Sequence, residues 1–205
     1  MSARARIHVV DDDASLRESL VDLLRAGGFD AQGYGSTGEF LLQPLPDRPG
    51  CLLLDVKLPG PSGLDLQAAL QGRGFALPIV FLTGHADVPT SVRAMKAGAV
   101  DFLEKPVVRE KLFEAIESAL VRDAAARATR EVADQRSARL AALTAREREV
   151  FALVVAGRRN QEIADELGVS LRTVKAYRAQ LMDKLGVRTA AELGRVAGAL
   201  PDAPD

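Results

Sequence analysis

The chain has no tryptophan and a single cysteine, and only 4% of its 205 residues are aromatic. One thiol, Cys51, cannot form an internal disulfide, and its place in the apolar run Cys51-Leu-Leu-Leu predicts a buried, inert side chain. No run approaches the roughly 20 apolar residues needed to cross a bilayer, which excludes a membrane-spanning helix. The N-terminus Met1-Ser-Ala-Arg-Ala-Arg lacks the apolar stretch of a secretion signal, so the expectation is a cytoplasmic protein with no membrane partner. Hydrophobic residues at 47% and charged residues at 27% are ordinary for a globular protein, and the length leaves room for two modest domains.

The net charge of −1 conceals an asymmetry. Residues 1–120 carry a net −4, residues 121–143 a net +2 and residues 144–198 a net +3. An acidic module followed by a mildly basic one suits a cation site joined to a part that meets a polyanion.

In the first half, strands read near residues 6–10, 30–34, 51–56, 79–83 and 100–104 alternate with amphipathic stretches such as Leu16, Leu20, Leu23 and Leu24. Gly27-Gly28 supplies a helix stop, while Ser36 with Glu39 and Ser62 with Asp65 have the spacing of helix caps. Five such βα units predict an α/β doubly wound parallel sheet of five strands, covered by helices on both faces.

The strand ends deliver polar groups. Asp11 and Asp12 follow the first strand, Asp55 the third, Thr83 the fourth, and Lys105 the fifth. In a doubly wound sheet these ends converge on one rim, where ligands bind. Three carboxylates sharing a pocket repel by roughly 4 kcal/mol per pair at about 4 Å and an effective dielectric near 20, so the cluster calls for a cation. Mg²⁺ suits it, being hard and usually held by one or two carboxylates with phosphate oxygens. Aspartate can attack phosphorus, and a metal and a lysine can neutralise the transferring group. Each residue alone has an ordinary explanation: Asp12 or Asp13 as a helix cap, Thr83 as a strand former, Phe102 as core, Lys105 as a solvated charge. Their arrival at successive strand ends argues for one pocket.

On these residues, about 5–120 resemble the flavodoxin-like receiver domain of two-component response regulators. The resemblance implies Asp11 and Asp12 as the acidic metal pair, Asp55 as phosphoacceptor, Thr83 as switch hydroxyl, Phe102 as switch aromatic and Lys105-Pro106 as the lysine-proline pair. It also implies that the backbone carbonyl of Lys57 joins Asp11, Asp12 and Asp55 around Mg²⁺ or Mn²⁺. The rigid turn formers of Lys57-Leu-Pro-Gly-Pro-Ser-Gly suit that task. His85, two residues past Thr83, borders the expected pocket as a neighbour of a hydrolytic water or as a helix cap, and His8 reads as structural.

Neither proline nor glycine occurs between Val108 and Leu143, and Ala124-Ala-Ala-Arg-Ala is rich in helix formers. Residues 121–140 therefore read as a helical linker. Val121, Ala125, Ala128 and Val132 keep a heptad spacing, but Gln135 and Arg139 interrupt the seam, which favours a solvated connector over a coiled coil.

Residues 141–198 are helical in pattern and are followed by a flexible tail, 199–205. Thr144 with Glu147 and Thr189 with Glu192 have capping-box spacing. Between them, Ile163, Ala164 and Leu167 form an inner face, Gly168 breaks the helix, Ser170 can cap the next, and Val174, Leu181 and Leu185 pack it. This is an all-α helix-turn-helix domain, whose second helix carries Arg172, Thr173, Lys175, Tyr177 and Arg178 as candidate contacts to DNA. Leu143-Thr-Ala-Arg-Glu-Arg-Glu-Val, Asn160-Gln-Glu-Ile-Ala, Thr173-Val-Lys and Lys184-Leu-Gly-Val-Arg resemble the LuxR/NarL DNA-binding domain, with Tyr177 where histidine is common. The two modules together resemble the FixJ subfamily.

The resemblance implies a transcription factor gated by phosphorylation. A sensor histidine kinase would phosphorylate Asp55, and Thr83 and Phe102 would reshape the surface around the fourth helix and fifth strand. That surface would form a homodimer that binds double-stranded promoter DNA, with RNA polymerase as a further partner and activation as the expected outcome. Two other readings compete. A phosphatase of the haloacid dehalogenase type would need a second Asp two residues after the nucleophile, where Lys57 stands, so a turnover enzyme is not expected. A constitutively dimeric binding module would ignore phosphorylation.

Overall fold

The structure is a computed structural model that describes residues 4–44, 48–75, 77–84 and 88–197. His85 and residues 199–205 lie outside the described residues. Contacts divide the chain into two compact units, residues 1–128 and 129–205.

The first unit is built on strands β1 (Arg6–Val10), β2 (Asp30–Tyr34), β3 (Gly50–Asp55), β4 (Ile79–Thr83) and β5 (Asp101–Glu104). All neighbouring pairs are parallel and the order is β2-β1-β3-β4-β5, the flavodoxin-like doubly wound arrangement. Between and after the strands run α1 (Ala14–Ala26), α2 (Thr37–Leu41), α3 (Gly63–Gly72), α4 (Val88–Lys96) and the long α5 (Arg109–Ala141).

Strands β3 and β4 are buried at every residue. Strand side chains alternate between faces, so a sheet covered on both sides needs apolar residues without interruption. Cys51, Leu53, Val80 and Leu82 enter one core with Leu20 and Leu24 of α1 and Leu112 and Ile116 of α5. Leu52, Leu54, Ile79 and Phe81 enter the other with Leu66 and Leu70 of α3 and Ala94 of α4. Burial pushes the Cys51 thiol up to about 12, consistent with an inert side chain.

The caps explain where the helices begin. Asp13 accepts from the N–H groups of Ser15 and Leu16 and starts α1, and Ser62 with Asp65 forms a reciprocal capping box at α3. Ser36 accepts from Glu39 at α2, but the Glu39 carboxylate takes the N–H of Gly35 instead of closing the box.

His8 is structural, as expected from its strand position. Its ring is buried, stacks on Tyr34, meets Phe40 edge-on and shares a 2.9 Å hydrogen bond between Nδ1 and the Tyr34 hydroxyl. Burial, with the charges of Arg6 and Arg48, lowers its pKa from 6.5 to about 4. The unfolded chain therefore binds the extra proton first, and the stability that a neutral His8 contributes above pH 6.5 is lost as pH falls toward 4. In urea unfolding of the first unit, the parent should lose roughly 2 to 3 kcal/mol more than His8→Gln between pH 7 and about pH 4.5. Equal losses in both proteins would contradict a buried neutral imidazole.

Helix α5 extends past the sheet. Asp123 on it is buried, accepts from Gly50 N–H at 3.1 Å and pairs with Arg127 Nε at 2.8 Å, while Arg127 also donates to the Arg48 carbonyl. This fastens α5 to the start of β3.

The second unit holds the end of α5 with α6 (Ala145–Val155), α7 (Asn160–Leu167), α8 (Leu171–Leu185) and α9 (Ala190–Ala197). Val150, Phe151, Ile163, Ala164, Val174, Leu181, Leu185 and Leu193 form its core. Gly168 ends α7 at φ +64°, a left-handed conformation that lets the chain turn directly into Ser170, whose hydroxyl caps α8. Thr144 and Glu147 close a capping box on α6. Thr189 accepts from Glu192 N–H before α9, but the Glu192 carboxylate takes the N–H of Arg188.

Candidate functional site: a carboxylate cluster and a recognition helix

The register of the parallel sheet brings the ends of β1, β3, β4 and β5 to one rim. Asp11 is fully buried, Asp12 is exposed and Asp55 is 7% exposed. Their carboxylate oxygens lie within 4.8 Å of one another. Lys105 Nζ reaches between them, 2.6 Å from Asp11 Oδ2 and 2.6 Å from Asp55 Oδ2. The remaining oxygens are oriented by backbone: Asp13 N–H donates to Asp11 Oδ1 and Lys57 N–H to Asp55 Oδ1, both at 3.0 Å. Arg17 donates to the Asp11 carbonyl at 2.7 Å.

Burial pushes the Asp11 carboxyl above its ordinary range, against the pull of the Lys105 hydrogen bond. Burial would lower the Lys105 ammonium, but hydrogen bonds and charges from Asp11 and Asp55 outweigh it and raise the pKa. One ammonium among three carboxylates leaves the ionised cluster net negative. An all-oxygen donor set that is part buried and part open at Asp12 fits a hard divalent cation that keeps some of its water.

Thr83 is buried at the end of β4, and its carbonyl accepts from Lys105 N–H at 2.6 Å. Phe102 on β5 is half-buried, with its ring centroid 6.1 Å from that of Phe81. Nearby on α4, Val88, Val92 and Met95 are exposed at 74%, 44% and 45%, an apolar stripe with helical spacing.

In the second unit the five candidate DNA contacts of α8 fall into two groups. Arg172 and Lys175 are exposed. Thr173, Tyr177 and Arg178 are half-buried: the Thr173 hydroxyl pairs with Ser170, Tyr177 packs on the core, and Arg178 Nη1 donates to Asn160 Oδ1 at 2.8 Å.

Residues 7–117 match the family model of the response regulator receiver domain, and residues 141–197 that of bacterial regulatory proteins of the luxR family. The chain is a two-component response regulator. It is 44% identical over 200 residues to nodulation protein W of Bradyrhizobium diazoefficiens, covering 97% of this chain and 88% of that one. It is also 41% identical over 198 residues to the transcriptional regulatory protein FixJ of the same organism, covering 96% of each. A solved structure of the response regulator StyR superposes with a TM-score of 0.83 at 43% identity, covering 97% of this chain and all of that one. This response regulator thus carries a LuxR-type DNA-binding effector and acts in transcription regulation, and no described helix is long and apolar enough to cross a membrane.

Several residues of the regulator escaped the sequence reading. Asp123 and Arg127 lie in an alanine-rich helix with nothing local to mark one carboxylate as buried; only an acid with an arginine four residues on hinted at it. Glu147 was visible as a cap, but it is also buried against Lys184 Nζ at 2.7 Å, and that hydrogen bond holds its carboxyl below the usual range. Asn160 was read only as part of a motif.

Proposed function

We propose that Asp55 of this response regulator accepts a phosphoryl group from a sensor histidine kinase, and that the resulting anion switches the chain from weak to strong promoter binding. The observation that carries the reading is the placement of Asp55 at a strand end, 2.6 Å from Lys105 and within a cluster of three carboxylates. An Asp55 oxygen attacks phosphorus, the phosphorus–nitrogen bond to the donor imidazole breaks, and that nitrogen leaves with the electron pair and takes up a proton. Lys105 moves its hydrogen bond from the carboxylate to a phosphoryl oxygen. Asp11, Asp12, Asp55 and the Lys57 carbonyl are the groups that would hold Mg²⁺ or Mn²⁺, which when bound supplies positive charge to the phosphoryl oxygens.

Thr83 then turns its hydroxyl to the new anion and Phe102 moves inward, biasing a bistable element of the receiver. The exposed apolar stripe of Val88, Val92 and Met95 beside β5 supports this face as the dimer surface. The dimer binds double-stranded promoter DNA through α8, with Arg172 and Lys175 toward the groove, and recruits RNA polymerase as an activator in the cytoplasm. The only chemistry assigned to the chain is its own phosphorylation and dephosphorylation. Light scattering of the full chain tests the dimerisation: monomer without donor, dimer with acetyl phosphate and Mg²⁺. An unchanged mass after verified phosphorylation would reject it.

A further inference from the structure

The basic residues of the recognition helix differ in burial: Arg172 and Lys175 are exposed, and Arg178 is half-buried. Val174, Leu181 and Leu185 are the buried line of α8. Arg178 follows Val174 by four residues and so stands only about 40° around the helix from that line, about 60° from Lys175 and about 120° from Arg172. The exposed residues of its first three turns are Leu171, Arg172, Lys175, Ala176, Ala179 and Gln180, and they form the exposed stripe. Half-buried at the flank of α8, Arg178 gives Nη1 to Asn160 Oδ1, and Asn160 makes no other side-chain hydrogen bond within the described residues.

The pairing fixes more than a distance. A guanidinium only donates, so the Asn160 oxygen must face it and the Asn160 amide NH₂ must face away. What the pair offers outward is then donors alone: the Asn160 NH₂ and the free N–H groups of Arg178. A phosphodiester oxygen only accepts and suits such a pair; a guanine edge also presents acceptors alone, but Arg178 is tied to Asn160 at the start of α7, and the first helix of a helix-turn-helix crosses the backbone while the second enters the groove.

We propose that Arg178 and Asn160 act as one unit that grips the DNA backbone at a phosphodiester, setting how α8 lies in the groove, while base discrimination belongs to the exposed stripe. This rests on the DNA-binding reading above and divides its labour. Asn160 becomes a DNA contact, and Arg178 a backbone contact that also orients Asn160.

The test uses the full chain treated with acetyl phosphate and Mg²⁺, and a duplex that the parent itself selects from a random library. Arg178→Ala and Asn160→Ala should each weaken binding about tenfold and select the same sequence as the parent, and Arg178→Ala should also lower the salt slope by about one. The double variant should bind no more weakly than the poorer single one, because the two side chains form one contact. Arg178→Lys, which keeps a charged donor for Asn160, should recover most of the loss. Asn160→Asp is the decisive variant. It keeps the acceptor for Arg178, so a merely structural pair would leave binding at the parent level, whereas a backbone contact loses its donor, faces phosphate with a negative charge and weakens at least as much as Asn160→Ala.

A changed base preference in Arg178→Ala, or parent-like binding by Asn160→Asp, overturns the proposal. A parent that selects no duplex overturns the DNA-binding reading and this one with it.

Discussion

Replacing Asp55 with Asn should abolish incorporation of phosphate from acetyl phosphate and Mg²⁺ into the full chain. Asn has the same shape, and its amide oxygen can still accept the Lys57 N–H that now holds Asp55 Oδ1 at 3.0 Å. Lys105 keeps its 2.6 Å contact to Asp11. Removing one of three clustered carboxylates relieves repulsion, so the variant should fold. What disappears is the nucleophilic oxygen, since an amide does not attack phosphorus as a carboxylate does. The comparison is made by intact mass and then by mapping the modified peptide. Parent-level labelling of Asp55→Asn, with Asp11 and Asp12 unmodified, would show that the phosphoacceptor lies elsewhere.

Strands β3 and β4 were legible because a sheet covered on both faces requires unbroken apolar runs at its centre. The gathering of strand-end residues followed from topology, since parallel strands end on one rim. The division among Asp11, Asp12 and Asp13 was not legible. Three consecutive acids look alike in sequence, and only the register of β1 makes the first buried, the second exposed and the third the cap of α1.

Gly63 was read with its loop as one of several turn formers. Its actual constraint is close approach: a Cβ there would lie 2.3 Å from the Asp55 carbonyl oxygen, eight residues back, which depends on how the loop folds over the end of β3. On α8 both the helical period and its phase were visible, since Val174, Leu181 and Leu185 are its buried line, but Tyr177 and Arg178 were grouped with Arg172 although both are half-buried. Asp123 was invisible because its partner Gly50 is 73 residues away.

Phosphorylation should tighten binding of the full chain to a duplex with two half-sites by at least about 100-fold. A modestly basic effector, net +3 over residues 144–198, gains only a few phosphate contacts when alone. Once the receivers pair, the second effector binds as an intramolecular event, and linking two sites in this way raises affinity by roughly 10² to 10⁴ without new contacts. The gain should fall away on a single half-site, where only one effector can engage. It should also be absent in Asp55→Asn, which cannot form the dimer on demand.

The central claim is that one phosphoryl group on Asp55 governs DNA affinity, and the most direct measurement is a titration of one preparation before and after acetyl phosphate and Mg²⁺. Fluorescence anisotropy on a two-half-site duplex at fixed salt would report it, with the extent of Asp55 modification read by mass on the same samples. The account predicts that affinity rises in step with the modified fraction in the parent and stays at the unmodified level in Asp55→Asn. Equal affinity before and after full modification, or the same rise in Asp55→Asn, would contradict it.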